Sequence, residues 1–266
     1  MRYFKTSILL IFLIILILGC STNHNDQDST TSELTNEINN NEKNKENSTE
    51  ETDSINEEHV DHFINDIDIN DDASLAVLVN KERSLSENYE PEDLVPVEVP
   101  TVLENPEVNQ LRKEAADALK NMFEHAAEEG IYLNARSGYR SYQTQVSLFD
   151  SYVSQHGEEA ANLFSAKPGH SEHQTGLAMD VTSESVDYQL TEKFGETKEG
   201  KWLYDHAHQF GFIIRYPENM EHITGYTYEP WHLRYLGVDL ATKVKESGLT
   251  YEEFLAKEGI IHEVHQ

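Results

Sequence analysis

Cysteine is nearly absent from this 266-residue chain, which holds one, Cys20. A lone thiol forms no intrachain disulfide and builds neither a cysteine zinc finger nor an iron–sulfur cluster. Any metal is therefore left to His, Asp and Glu, and there are 13 His. Basic residues are scarce too, 20 against 49 acidic ones, a formal charge of −29. Nucleic-acid binding draws on clustered Lys and Arg, so no nucleic-acid partner is expected. Glycine (13) and proline (7) are too few for a collagen-like or wholly low-complexity chain. The unbroken apolar run Ile8–Leu18 has 11 residues, short of the roughly 20 that span a bilayer as a helix. No repeat of 20–50 residues is visible, and the length suits one or two domains.

What is present divides the chain in three. Arg2 and Lys5 precede the apolar run, and Ile17-Leu18-Gly19-Cys20 closes it. Residues 1–20 resemble a bacterial lipoprotein signal peptide, which implies cleavage before Cys20 and a lipid on its thiol; a plain secretory signal or an uncleaved anchor is the alternative. Acyl chains contribute about 0.8 kcal/mol per buried methylene, so two or more would hold the protein on the outer face of the cell membrane. Residues 21–73 carry 16 acidic residues against 2 lysines and almost no aromatics. Such a segment buries too little apolar surface to offset its ordering entropy, and a disordered linker with a reach of roughly 35–43 Å is expected. An acidic tail that buffers metal or binds a partner is the competing idea. Residues 74–266 are long enough for one real core.

Within that part, Leu75–Val79 reads as a short strand and Leu85–Pro100, with Pro91, Pro96 and Pro100, as an extended wrap. Val108, Leu111, Ala115, Leu119, Met122, Phe123 and Ala126 follow a 3–4 spacing that predicts a helix over 107–129, stopped by Gly130. Ile131–Ala135 reads as a strand, Ser141 as the N-cap of a helix that closes near Gly157, and Leu177–Val181 as another strand. Residues 199–210 look helical, 212–214 and the stretch around 226–233 look extended, and helices near 237–247 and 250–258 end the chain. Helices and strands mix without regular βαβ alternation, which favours an α+β fold with a small antiparallel sheet.

Polar side chains crowd beside the apolar strands in three places: Ser137-Gly138-Tyr139-Arg140-Ser141 followed by Gln145; Pro168 to Asp180, with His170, Ser171, Glu172 and His173; and Glu229-Pro230-Trp231-His232. A catalytic zinc needs three protein ligands and one open position. His173, Asp180 and His232 offer two imidazoles and a carboxylate, and Glu229 stands three residues before His232. Asp180 sits in the apolar run Leu-Ala-Met-Asp-Val, where an unpaired carboxylate is costly to bury. Gly176 permits a sharp turn between His173 and Asp180. Spacing alone is a weak signal. His170 is the decoy ligand, and His206 and His208, two apart on a helix, read as surface histidines.

The pattern Ser-x-His-x-x-Gly-x-Ala-x-Asp, with Glu-x-x-His some fifty residues later, resembles the zinc D-alanyl-D-alanine carboxypeptidases and dipeptidases. The longer text Pro-Gly-His-Ser-Glu-His-Gln-Thr-Gly-Leu-Ala-Met-Asp plus Glu-Pro-Trp-His is similar to the VanY-type branch and to the related LdcB-type L,D-carboxypeptidases of peptidoglycan maturation. The likeness runs through about 76–250, including Leu-Val-Asn (78–80) and Ser-Gly-Tyr-Arg-Ser. It implies a single catalytic domain of the zinc DD-peptidase/Hedgehog-like type, with a small central sheet flanked by helices. It also implies one zinc ion per chain on His173, Asp180 and His232, and Glu229 as general base. Arg140 would face the scissile carbonyl or the substrate, and Gln145, Ser171 and Tyr216 would line the peptide pocket, with Trp231 packed beside the metal. Arg215 is the alternative to Tyr216; Arg140 as a structural ion-pair residue and Ser171 as a turn residue are the plainer readings. The implied partner is a peptidoglycan stem peptide outside the membrane, trimmed of its terminal D-alanine by a D,D-carboxypeptidase. An L,D-enzyme, an endopeptidase and a non-catalytic wall-binding module are the alternatives.

Overall fold

The computed structural model describes residues 67–262. The expected signal peptide, Cys20 and most of the expected acidic linker lie outside the described residues. Of the residues 67–73 that are described, Ile69 is buried among apolar residues and its carbonyl accepts from Leu78 N at 3.2 Å. No helix among the described residues is long and apolar enough to cross a membrane.

Residues 76–79 are buried and Leu75 partly so, but 75–79 form no strand. Their carbonyls are taken by side chains instead: Arg234 Nη2 donates to Leu75 and Val77, and the Tyr251 hydroxyl to Ala76. The proline-rich wrap contains β1 (Leu94–Pro96), which pairs antiparallel with β2 (Gln110–Arg112). The helix expected from 107 therefore starts only at Lys113. Val108 and Leu111 are buried as their spacing suggested, but Val108 in the turn before β2 and Leu111 in β2 itself, paired with Val95 of β1. From there α1 (Lys113–Glu128) buries Ala115, Leu119, Met122, Phe123 and Ala126 on one stripe, each large side chain contributing about 1.5–3 kcal/mol over an exposed position. Gly130, at φ 76°, ends the turn after it.

A four-stranded antiparallel sheet follows, in the order β3–β4–β6–β5: β3 (Asn134–Ser137), β4 (Ala178–Thr182), β5 (Phe212–Tyr216) and β6 (Glu229–Tyr235). The first strand sits later than the expected 131–135. Between β3 and β4 run α2 (Tyr142–His156), capped by Ser141 as expected, and the unforeseen short helix α3 (Glu158–Phe164). The expected 199–210 helix is α4 (Lys198–His206) followed by a 3₁₀ turn, Ala207–Phe210. A one-turn α5 (Glu221–Thr224), then α6 (Val238–Ser247) and α7 (Tyr251–Lys257), complete the described chain.

Alternation along the strands gives the sheet two different faces. Met179 and Val181 of β4 and Leu233 and Tyr235 of β6 join Leu119 and Met122 of α1 in the larger apolar cluster. Asp180, His232 and Arg234 alternate with them and point the other way; a second apolar cluster gathers Ile69, Leu78, Ile213, Val244, Tyr251 and Phe254. The small antiparallel sheet with helices around it agrees with the expected α+β class.

Candidate active site

Register brings the polar residues into one row. Ser137 of β3 pairs with Asp180 of β4, and Asp180 pairs with His232 of β6. His173 arrives from the 3₁₀ turn Glu172–Thr175, which ends at Gly176 in the left-handed conformation, φ 67°. A β-carbon there would stand 2.9 Å from Leu94 and 3.0 Å from Arg112, so glycine suits both the turn and the close packing. Glu229 and His232 are three apart and would face opposite ways on a regular strand. The irregularity in the β5–β6 pairing, between Ile214↔Leu233 and Tyr216↔Glu229, re-aims Glu229 toward the histidine.

The three candidate ligands offer donor atoms within 4.8 Å of one another, and all three residues are buried. His173 Nε2 lies 3.5 Å from Asp180 Oδ2, and His232 Nδ1 lies 3.1 Å from Asp180 Oδ1. The remaining nitrogen of each ring is already engaged. His173 Nδ1 donates to Gly138 O at 2.7 Å, and His232 Nε2 faces Glu172 Oε2 at 3.2 Å. This orientation by outer partners is what a metal-binding imidazole requires. Glu229 Oε2 stands 3.8 Å from His232 Nδ1.

Burial dominates the electrostatics. It lowers His173 to a pKa of about 3, so that imidazole is neutral at neutral pH. Burial would lower His232 too, but hydrogen bonds to Asp180 and Glu172 outweigh it and carry the ring up to about 9, which measures how strongly this corner attracts positive charge. Asp180 is desolvated, yet its histidine neighbours hold it below the usual carboxylate range. Glu229 is pushed up to about 7 by burial, with His232 pulling against it and Asp180 adding to it. Glu172, equally desolvated, is held far below its ordinary value by Arg215 and Arg234.

Arg140 leaves the end of β3, its backbone N–H donating to His173 O at 3.2 Å. Its guanidinium donates to Gln145 Oε1 at 2.7 Å and Ser137 Oγ at 3.1 Å. Gln145, expected on the pocket wall, lies one layer behind it: buried, with its amide donating to Ala166 O at 2.6 Å. A cavity of about 350 Å³ opens in front of these groups, lined by Arg140, Ser171, Tyr216, Glu229 and Trp231 together with the three candidate ligands. The Tyr216 ring sits 4.9 Å from that of His232. Arg215, the alternative to Tyr216, is fully buried in ion pairs with Glu172 and Glu252. His170 is kept from the cluster by a 2.8 Å contact between its Nδ1 and Asn80 O. His206 is half-buried rather than a surface residue, stacked on Trp202 at 4.8 Å.

A family model for D-alanyl-D-alanine carboxypeptidase, VanY, matches residues 108–238. The chain is 42% identical over 266 aligned residues to a putative carboxypeptidase, YodJ, of Bacillus subtilis (strain 168), covering 96% of this chain and 97% of that one. The chain belongs to the VanY D-alanyl-D-alanine carboxypeptidase family. It is also 33% identical, over 181 residues, to VanXYC of Enterococcus gallinarum, a bifunctional D-Ala-D-Ala dipeptidase and carboxypeptidase, covering 66% of this chain and 91% of that one. Among solved structures, the LdcB LD-carboxypeptidase aligns with a TM-score of 0.68 at 51% identity, covering 71% of this chain and 88% of that one. The vancomycin-resistance D,D-pentapeptidase VanY from a VanB-type cassette, solved with Zn(II), aligns with a TM-score of 0.55 at 33% identity over 69% of this chain and 99% of that one.

Two imidazoles and one carboxylate, each imidazole oriented by a second partner, fit the zinc seen in that VanY-family relative. The functional neighbour missing from the sequence reading is Glu172. Its signal was indirect: Arg215 and Arg234 stand in strands of mostly apolar text, where a guanidinium demands a buried acid.

Proposed function

We propose that this protein is a zinc-dependent carboxypeptidase that removes the C-terminal D-alanine from peptidoglycan stem peptides, as a D,D-carboxypeptidase. The observation that carries this reading is the convergence of His173, Asp180 and His232, with Glu229 3.8 Å from His232, on the wall of one cavity. Zinc bound by those three side chains supplies Lewis-acid polarisation of the scissile carbonyl and a water whose pKa falls to roughly 7. Glu229 is the general base. Poised near neutrality by its burial, it takes a proton from the attacking water and hands it to the leaving D-alanine nitrogen, a contribution of about 10²–10⁴ in rate. Arg140, held by Ser137 and Gln145, offers its remaining N–H donors to the carbonyl oxygen or to the terminal carboxylate that an exopeptidase must recognise. Ser171 and Tyr216 contact the peptide from the same cavity. No nucleophilic serine and no covalent intermediate are required.

The substrate lies outside the membrane, and the lipoprotein-like text ending at Cys20 supports an anchor there, with the acidic segment as tether. Replacement of Cys20 by Ser is expected to release the protein from the membrane fraction; retention there would count against the anchor.

The L,D reading is favoured by the 51% identity to LdcB. Mass spectrometry of products from defined tetra- and pentapeptide stems, with and without chelator, separates the two. Free D-alanine from the pentapeptide, abolished by chelator and restored by zinc, is expected. Cleavage of the tetrapeptide alone transfers the assignment to L,D, and release of longer fragments contradicts an exopeptidase.

A further inference from the structure

Glu172 is buried behind the metal corner, its side chain without solvent contact. Its Oε1 accepts from Arg215 Nε and Arg234 Nη1, both at 2.8 Å, while Oε2 faces His232 Nε2 at 3.2 Å. Arg215 is clamped on its far side by both oxygens of Glu252. Arg234 is anchored to the carbonyls of Leu75 and Val77, at 2.9 and 2.7 Å. The lattice therefore joins β5, β6, α7 and the 75–79 segment. Glu252 and that segment lie beyond residues 108–238, which the family model covers.

A neutral imidazole carries its hydrogen on one nitrogen and a lone pair on the other. Without a cation Nδ1 also faces a carboxylate, Asp180 Oδ1 at 3.1 Å, and both ring nitrogens can carry hydrogen; once a cation takes the place of the Nδ1 hydrogen, Glu172, which as an ionised carboxylate can only accept, keeps the other on Nε2. The lone pair of Nδ1 is then directed at the space shared with His173 Nε2 and the Asp180 carboxylate. We infer that Glu172 is a positioning residue: held by Arg215, Arg234 and Glu252, it selects the tautomer and ring orientation in which His232 meets the metal through Nδ1. The inference rests on the zinc reading above and assigns Glu172 no contact with substrate.

The test is zinc affinity, read by chelator competition on purified metal-free protein. Glu172→Gln keeps the volume but removes the charge, and its amide places an N–H against an arginine or against the ring N–H. It is expected to weaken zinc binding by about 10–100-fold and to shift the visible absorption of the cobalt-substituted protein. Glu252→Gln, one step further out, is expected to give a smaller loss. A merely structural role lowers the melting temperature of the metal-free protein and leaves the affinity of the folded fraction unchanged. Folded Glu172→Gln protein that binds zinc within twofold of wild type, with the same cobalt spectrum, overturns the inference. Should that variant not fold, nitrogen-15 NMR of wild-type zinc protein decides: a proton on His232 Nε2 supports the assignment and one on Nδ1 overturns it. Wild-type protein that takes up no zinc at all overturns the metal reading first, an outcome distinct from zinc uptake without dependence on Glu172.

Discussion

In one corner of the cavity Asp180 and His232 stand on paired strands and His173 on the 3₁₀ turn before β4, whereas the wall beyond is built from α2, α3 and the turns around them. In the corner each imidazole is engaged on both sides, and the carboxylate behind it is gripped by two buried arginines. On the helical wall Arg140, just before α2, is held by single hydrogen bonds, one to Ser137 of β3 and one to Gln145, whose amide reaches Ala166. Aromatic side chains lie open at the rim there, Phe164 against Tyr152 at 5.2 Å and 42% exposed. Strand register sets Asp180 beside His232 where a cation is to be held, while helices and turns carry the part that must admit and release a peptide. Substitutions in the corner should therefore act on metal content, and those on the wall on substrate handling.

The largest effect is expected from His232→Ala. Loss of one of three ligands should empty the metal site and take activity below detection; zinc that remains at one per chain by atomic absorption would break the comparison. Arg140→Lys comes next. It keeps the charge but forfeits the planar fork that meets Ser137 and Gln145, so kcat/KM should fall by about 10²–10³ with zinc content unchanged. Metal loss in that variant would show that wall and corner are one unit. The pH profile sharpens the same division. A base must be ionised to act, so activity is present above the Glu229 pKa and lost as pH falls through it. Burial raises that group from 4.5 to about 7, and the nearby cation pulls it back. The acid limb of kcat/KM is thus expected between these values; a profile flat from pH 4.5 to 7 would argue against Glu229. The smallest effect is expected from Gln145→Ala, about fivefold in kcat/KM from the loss of a hydrogen bond that steadies Arg140.

The corner was more legible in the sequence than the wall, for physical reasons. An aspartate within Leu-Ala-Met-Asp-Val announces a buried charge that needs a partner, and Gly176 announces the turn that returns His173 to it. The antiparallel pairing of Asp180 with His232 is a long-range contact that local text does not encode, and the pairing irregularity that re-aims Glu229 is likewise invisible there. Gln145 is expected on the wall only through the family resemblance, which carries a residue's position but not its packing. Its place behind Arg140 depends on where the 165–166 turn passes. Local periodicity misled at Val108 and Leu111, which satisfy helical spacing but are buried in a turn and a strand, and at 75–79, where side chains replace strand partners.

The central claim is that three side chains hold one zinc while a fourth, Glu229, does the proton transfer without being needed to bind the metal. It is tested most directly by measuring zinc stoichiometry and D-alanine release together on Glu229→Ala. One zinc per chain with release reduced by about 10²–10⁴ is predicted; a variant that loses its zinc, or keeps wild-type turnover, would contradict it.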